Sequence, residues 1–242
     1  MELATWYDSA TLRKGEQQKR KAWPTRLALI AVPLVALLGV TLTEAVTPPP
    51  QNPLHQEITG YKNSESDLFR ALQEASYKYG VPLGIETDAQ GQTAKNISVS
   101  ISQGTVGDIF DALIQQAPNY KWVESRGVVN VMPKQDTDSA LDLKIARFHV
   151  THATPDDLHA AIRSLPEVRA WLDQHRLVER GLVTSSILIG SNGKTDQPRV
   201  SLRLKNMTLR EIMNTVVKKP GFRVWLVGRY GDHSQYLSIS ID

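Results

Sequence analysis

Three histidines fall close together, His149, His152 and His159, with Asp156 and Asp157 between them. Imidazoles and a carboxylate could ligate zinc, but beyond the His149-x2-His152 pair a tetrahedral site needs a third and a fourth ligand, for which Asp156 is a candidate. The pattern puts His149 and His152 at a strand end and His159 in the next helix, where solvated surface histidines are the simpler reading. Asp156 and Asp157 could be a hydrolase carboxylate pair. They are explained as well by a helix start at Thr154-Pro155, whose first turn favours acids. Ser185, Ser186 and Ser191 lack the context of a nucleophile elbow. Gly190-Ser-Asn-Gly193 lacks the lysine spacing of a phosphate loop and reads as a turn. Asn96-Ile-Ser98 and Asn206-Met-Thr208 fit a glycosylation sequon, which has meaning only in a eukaryotic secretory protein. The chain has no cysteine, so thiol catalysis, disulfides and cysteine-bound metals are excluded. The expectation is a protein with no catalytic residues, no metal site and no cofactor.

Aromatic residues are the other chemically suggestive group. Trp122 and Trp225 occupy matched places on two hairpins. Either they pack into a core, or they anchor a partner strand added to an exposed sheet edge. Arg223, Tyr230 and Tyr236 share the second hairpin, and the five together are the candidate partner-contact residues. Arg223 with Lys218-Lys219 also reads as a solvated helix end complementing the dipole.

The elements that carry these residues occur twice. Val99-Ser-Ile101 followed by Thr105-Val-Gly-Asp108-Ile-Phe-Asp-Ala-Leu-Ile114 matches Leu202-Arg-Leu204 followed by Thr208-Leu-Arg-Glu211-Ile-Met-Asn-Thr-Val-Val217, at a constant offset of 103 residues. In each copy an alternating strand leads to a threonine that caps a helix, with an acid three residues on to close a capping box. Thr105 pairs with Asp108 and Thr208 with Glu211; Thr154 and Asp157 repeat the motif. Pro118 and Pro220 end the helices, and a hairpin follows each. A helix opened by Ser64 or Ser66 and closed by Gly80 precedes the first copy, followed by a short strand from Leu83 to Glu86. The second copy carries an extra helix over about 166–178 and a polar stretch to Pro198, so 166–198 reads as an insertion.

Charge places these copies. The chain has 242 residues, with 28 Lys+Arg against 25 Asp+Glu, a net charge of +3. Residues 1–26 hold six basic and three acidic residues, so the remainder is neutral and has no global field for DNA or RNA. Residues 27–46 form an apolar run long enough to span a bilayer, flanked by Lys19-Arg20-Lys21 and Arg26 before it and Glu44 within its far end. Positive-inside logic leaves the 1–26 tail in the cytoplasm, residues 27–46 as a signal anchor in the inner membrane, and the bulk in the periplasm. A signal peptide cleaved near Ala45 is the alternative. Four prolines between Thr47 and Pro53 stiffen a spacer over 47–56.

The unit of helix, strand, capped strand–helix and hairpin resembles the secretin and TonB N-terminal short domain. The resemblance is carried best by Phe69-Arg-Ala-Leu72, Val99-Ser-Ile101, Thr105 to Leu113 and Tyr120-Lys-Trp122, and in the second unit by Val200–Ile241. Residues Ile145–Leu165 look more like the strand–helix opening of secretin ring-building modules. The resemblance implies an α+β fold with two short-domain-like units, 57–133 and 140–242, behind one transmembrane helix. It also implies a non-catalytic module that binds an envelope protein in secretion, transport or signalling. Nucleic acid is not an expected partner; the lipid bilayer is one through 27–46, and a homo-oligomer stands as an option. A cell-wall glycan binder or glycan-processing protein with a cleft between the units is the alternative.

Overall fold

Residues 52–87, 96–135, 138–179, 197–230 and 236–242 are described by the computed structural model. All lie in one compact unit, Pro48–Asp242. The tail, the apolar run 27–46 and most of the proline spacer lie outside the described residues. No helix among the described residues is long and apolar enough to cross a membrane.

Each repeat begins with an antiparallel ribbon. In the first, β1 (Glu57–Ser66) pairs with β3 (Ile97–Thr105); in the second, β6 (Lys144–Ala153) pairs with β8 (Val200–Thr208). β3 and β8 bury the same positions, because Ile97 and Val99 match Val200 and Leu202. The ladder slips between Asn63 and Ser66 in one ribbon and between Val150 and Ala153 in the other. These slips sit 87 residues apart, so the repeat extends through β1 and β6. The offset grows from 87 to 103 across the inserted segment.

The helices follow from their caps. Asp67, not Ser64 or Ser66, opens α1 (Leu68–Tyr79), because residues 57–66 are already committed to β1; its carboxylate accepts from the Arg70 N–H at 3.0 Å. Gly80 closes the helix in the left-handed region, φ 71°. Capping boxes at Thr105–Asp108, Thr154–Asp157 and Thr208–Glu211 open α2 (Val106–Gln115), α3 (Pro155–Ser164) and α5 (Leu209–Val217). Each cap hydroxyl is worth about 1 kcal/mol. The extra helix is α4, Pro166–Gln174, followed by the short strand β7, Val178–Glu179.

The remaining strands join both repeats. β2 (Leu83–Glu86), β4 (Tyr120–Ser125), β5 (Val128–Pro133), β9 (Val224–Tyr230), β10 (Tyr236–Ile241) and β7 make one sheet in the order β4-β5-β2-β9-β10-β7. A two-residue turn at Arg126-Gly127, both at positive φ, closes the first hairpin. β2 runs parallel to β5, and β7 runs parallel to β10. The three-stranded block β4-β5-β2 therefore recurs as β9-β10-β7, and parallel pairing of β2 with β9 joins the blocks.

The second block is turned over. Leu83, Ile85, Val129, Val131 and Val224 point into a core shared with α1 and α2. Trp225, Val227, Leu237, Ile239 and Ile241 point the other way, into a core with α3, α4 and α5. One sheet thus separates two cores, and the fold is a mixed α+β architecture of five helices and three sheets among the described residues. Burying a Leu or Ile side chain contributes about 1.5–3 kcal/mol.

Candidate interaction surfaces

The matched tryptophans meet different fates. Trp122 Nε1 donates to Asp111 Oδ1 and Trp225 Nε1 to Asn214 Oδ1, both at 2.8 Å and both across eleven residues to the preceding helix. Asp111 and Asn214 are themselves related by the 103 offset. Trp225 is fully buried. It lies opposite Gly84 on β2, where a Cβ would overlap the indole ring. The expectation that Trp225 contacts a partner is therefore corrected: β2 already occupies the edge that the tryptophan would have offered. Trp122 stays half-buried against Phe110, on a strand that pairs only with β5 among the described residues.

The other hairpin residues divide similarly. Arg223 is half-buried and donates through Nη1 to the Gly80 carbonyl at 2.6 Å, tying the second repeat to the end of α1. Tyr236 is half-buried at the start of β10. Tyr230 ends β9, and its side chain lies outside the described set. What the outer edge does expose is Val123, 49% accessible, in a strand otherwise solvent-facing from Val123 to Ser125.

The junction between the repeats is closed by charge. Glu86, at the end of β2, receives a hydrogen bond from Arg210 Nη2 at 2.8 Å and another from the Ser139 hydroxyl. Arg210 Nη2 also reaches Asp142 Oδ1 at 3.4 Å. The Glu86 and Arg210 side chains are 8% and 17% exposed, so this pair is shielded from water. The hollow beside it, lined by Glu86, Ser139, Trp171 and Arg229, has a volume of about 10 Å³, the room of one water molecule.

A neighbouring constellation gathers Trp171 with an acid and a histidine that no sequence motif links as a unit. Asp138, in the polar link between repeats, meets His175 Nε2 at 2.5 Å and accepts from Trp171 Nε1 at 3.3 Å. His175 Nδ1 faces the Trp171 carbonyl at 2.7 Å, and the two rings stack at 4.2 Å. Arg229 lies over Trp171 at 4.9 Å and donates to the Asp138 carbonyl at 2.9 Å. The hydrogen bonds from His175 and then Trp171 hold the Asp138 carboxyl below the usual carboxylate range. The group ties the link to α4. Its one local signal was the i, i+4 spacing of Trp171 and His175.

The histidines singled out by spacing do not converge. His149 is exposed on β6, His152 is exposed at the ladder slip with φ 49°, and His159 is half-buried on α3. Among the described residues no group of three or more His, Cys, Asp or Glu side chains could hold a metal ion. Asp157 is held in its capping box, where hydrogen bonds from Thr154 lower its carboxyl; Asp156 is exposed beside it. Ser185, Ser186, Ser191 and the 190–193 turn lie outside the described residues.

No family model, no curated protein and no solved structure matches this chain.

Proposed function

We propose that the chain is a non-catalytic, membrane-anchored periplasmic interaction module of an envelope secretion, transport or signalling assembly, built from two short-domain-like units. It takes a partner strand on the outer edge of β4. The observation that carries this reading is internal. β9 already accepts a parallel strand, β2, with a glycine set against its tryptophan. β4 presents the matched tryptophan, Trp122, and an exposed valine on an edge with no strand beside it among the described residues. Ladder hydrogen bonds give such pairing its affinity, and alternate side-chain pockets give it specificity. A partner strand with a small residue opposite Trp122 reproduces the β2–β9 junction.

The anchor, the stiff spacer and the neutral body support the location and the protein-binding mode. Among the described residues the hollow lined by Glu86, Ser139, Trp171 and Arg229 has the room of one water molecule, which supports the protein-binding reading over the glycan one.

Site-specific photo-crosslinking in intact cells tests the proposal. A benzophenone residue at Val123 is expected to give one discrete adduct with an envelope protein, and Trp122→Ala is expected to weaken it. No adduct at Val123, or the same adducts from Lys218 as from Val123, overturns the edge-pairing reading.

A further inference from the structure

The two ribbons share a burial pattern and a ladder slip but not a charge. On the outward face of β6–β8, Arg147 lies directly opposite Lys205 and His149 opposite Arg203. All four are exposed. Neither strand contains an Asp or Glu, and Lys144 extends the basic row. Among the described residues, no ion pair or side-chain hydrogen bond engages Arg147, His149, Arg203 or Lys205. Placing the like charges of Arg147 and Lys205 directly across a ladder is unfavourable.

The first ribbon is the control within the molecule. At the matched positions it carries Gly60, Lys62, Ser100 and Ser102, with Lys62 opposite Ser100. It has the same slip and buries the same positions, although its ladder is interrupted at Gly60, φ 72°, where the second ribbon pairs Arg147 with Lys205. The fold therefore does not need the cations, and their repulsion has no structural return.

We infer that the outward face of β6–β8 is a binding surface for an acidic extended segment of a protein. This inference does not depend on pairing at β4. The cations form a grid with rows about 6.8 Å apart along the strands and about 5 Å across them. An extended chain with a carboxylate at every second residue repeats at the same spacing of about 6.8 Å, so one carboxylate meets Arg147 and Lys205 while the next meets Arg203, with the His149 imidazole beside it as a hydrogen-bonding group. Arginine forks at positions 147 and 203 suit carboxylate recognition. The face bears no aromatic residue on which bases could stack, which disfavours single-stranded nucleic acid. Its exposed apolar residue is Ala146, too small to hold the face in a bilayer.

The test uses the full chain in uncharged detergent and fluorescence anisotropy. The probes are a labelled octapeptide alternating Glu and Thr, and a second of equal composition with its glutamates in one block. The alternating peptide is expected to bind several-fold more tightly, with affinity falling as salt is raised to about 0.15 M. Arg203→Ser with Lys205→Ser, which installs the first ribbon's residues, is expected to weaken binding at least about tenfold with thermal stability unchanged or raised. Lys218→Ser with Lys219→Ser, at a solvated helix end, is expected to leave binding within about twofold. Equal binding of the two peptides, equal loss in both variants, or tighter binding of duplex DNA or a short-chain anionic phospholipid through the same cations overturns the inference.

Discussion

Trp122 and Trp225 are one residue placed twice. Each sits on the first strand of a hairpin, and each indole N–H reaches the matched residue of the helix before it. Yet one is at the rim of the sheet and the other in its interior. The difference comes from chain order alone. The first repeat has a short strand, β2, whose far side is open until the second repeat arrives; β9 fills that side, and Gly84 makes room for the indole. The second repeat adds its own short strand, β7, at the opposite rim. A repeated module therefore has one junction and two ends, and the junction shows what an end can accept.

Truncation measures that difference most directly. Trp225→Ala leaves a cavity in a fully buried site and an unpaired Asn214, and is expected to cost about 3–5 kcal/mol. Trp122→Ala, half-exposed, is expected to cost about 1–2 kcal/mol. Urea unfolding of the full chain in detergent, followed by far-ultraviolet circular dichroism, reads both. Equal losses would mean that β9 is no more interior than β4.

The junction's ion pair comes next. Glu86→Ala leaves the shielded Arg210 guanidinium, whose Nη1 already lacks a hydrogen-bond partner, with only its longer contact to the exposed Asp142 carboxylate, and is expected to cost about 3 kcal/mol. Adding Arg210→Met to the Glu86→Ala chain is expected to restore part of that stability, because the poorly compensated buried charge is gone. A double variant as unstable as the sum of its singles would show that the two side chains do not act as a pair.

Smaller effects compare the repeats on equal terms. Thr105→Ala and Thr208→Ala each remove one capping hydroxyl and are expected to cost about 1 kcal/mol. The acids of both boxes respond to pH in the same direction. Hydrogen bonds from Thr105 hold the Asp108 carboxyl below its ordinary value, and those from Thr208 do the same for Glu211. A depressed folded-state pKa stabilises above the unfolded values, about 3.9 for Asp and 4.3 for Glu, and that contribution fades as pH falls through the lower folded values. Unfolding midpoints recorded from pH 6 downward, a range chosen to bracket about 4, are expected to fall less steeply in Thr105→Ala and Thr208→Ala than in the parent chain. Parallel curves would remove the threonine hydroxyls from the acid response and leave it to the Thr105 and Thr208 backbone N–H groups, which are the larger cause of both shifts.

The capping boxes, the strand preceding each and the matched tryptophans were all legible, because each is written in a few consecutive residues. β1 was not. Its inward positions are Ile58, Tyr61 and Asn63, and Gly60 at φ 72° breaks the alternation, so no period-two signal survives. β7 is two residues long and carries no periodicity at all. The β2–β9 junction lies between segments about 140 residues apart in the chain, and local pattern cannot announce which of two similar hairpins a short strand will meet. The same blindness put Trp225 among the partner contacts. Its role depends on Gly84, which looks like any loop-adjacent glycine until the strands are paired.

Val123 gives the smallest expected change in stability and the sharpest comparison. It is exposed on a rim strand, so Val123→Lys is expected to shift unfolding by no more than about 0.5 kcal/mol. Lysine on an edge strand is also a common device by which sheets discourage further pairing. Val227, on the interior strand β9, is 3% exposed among the core residues of the second repeat. The same change there buries an ammonium without a partner and is expected to unfold the protein. If Val123→Lys leaves the fold intact but abolishes the crosslinked adduct at a benzophenone placed at the neighbouring Glu124, the rim differs from the interior only in being unoccupied. If the adduct survives, β4 is not where the partner strand lies, and the resemblance between the two hairpins ends at their tryptophans.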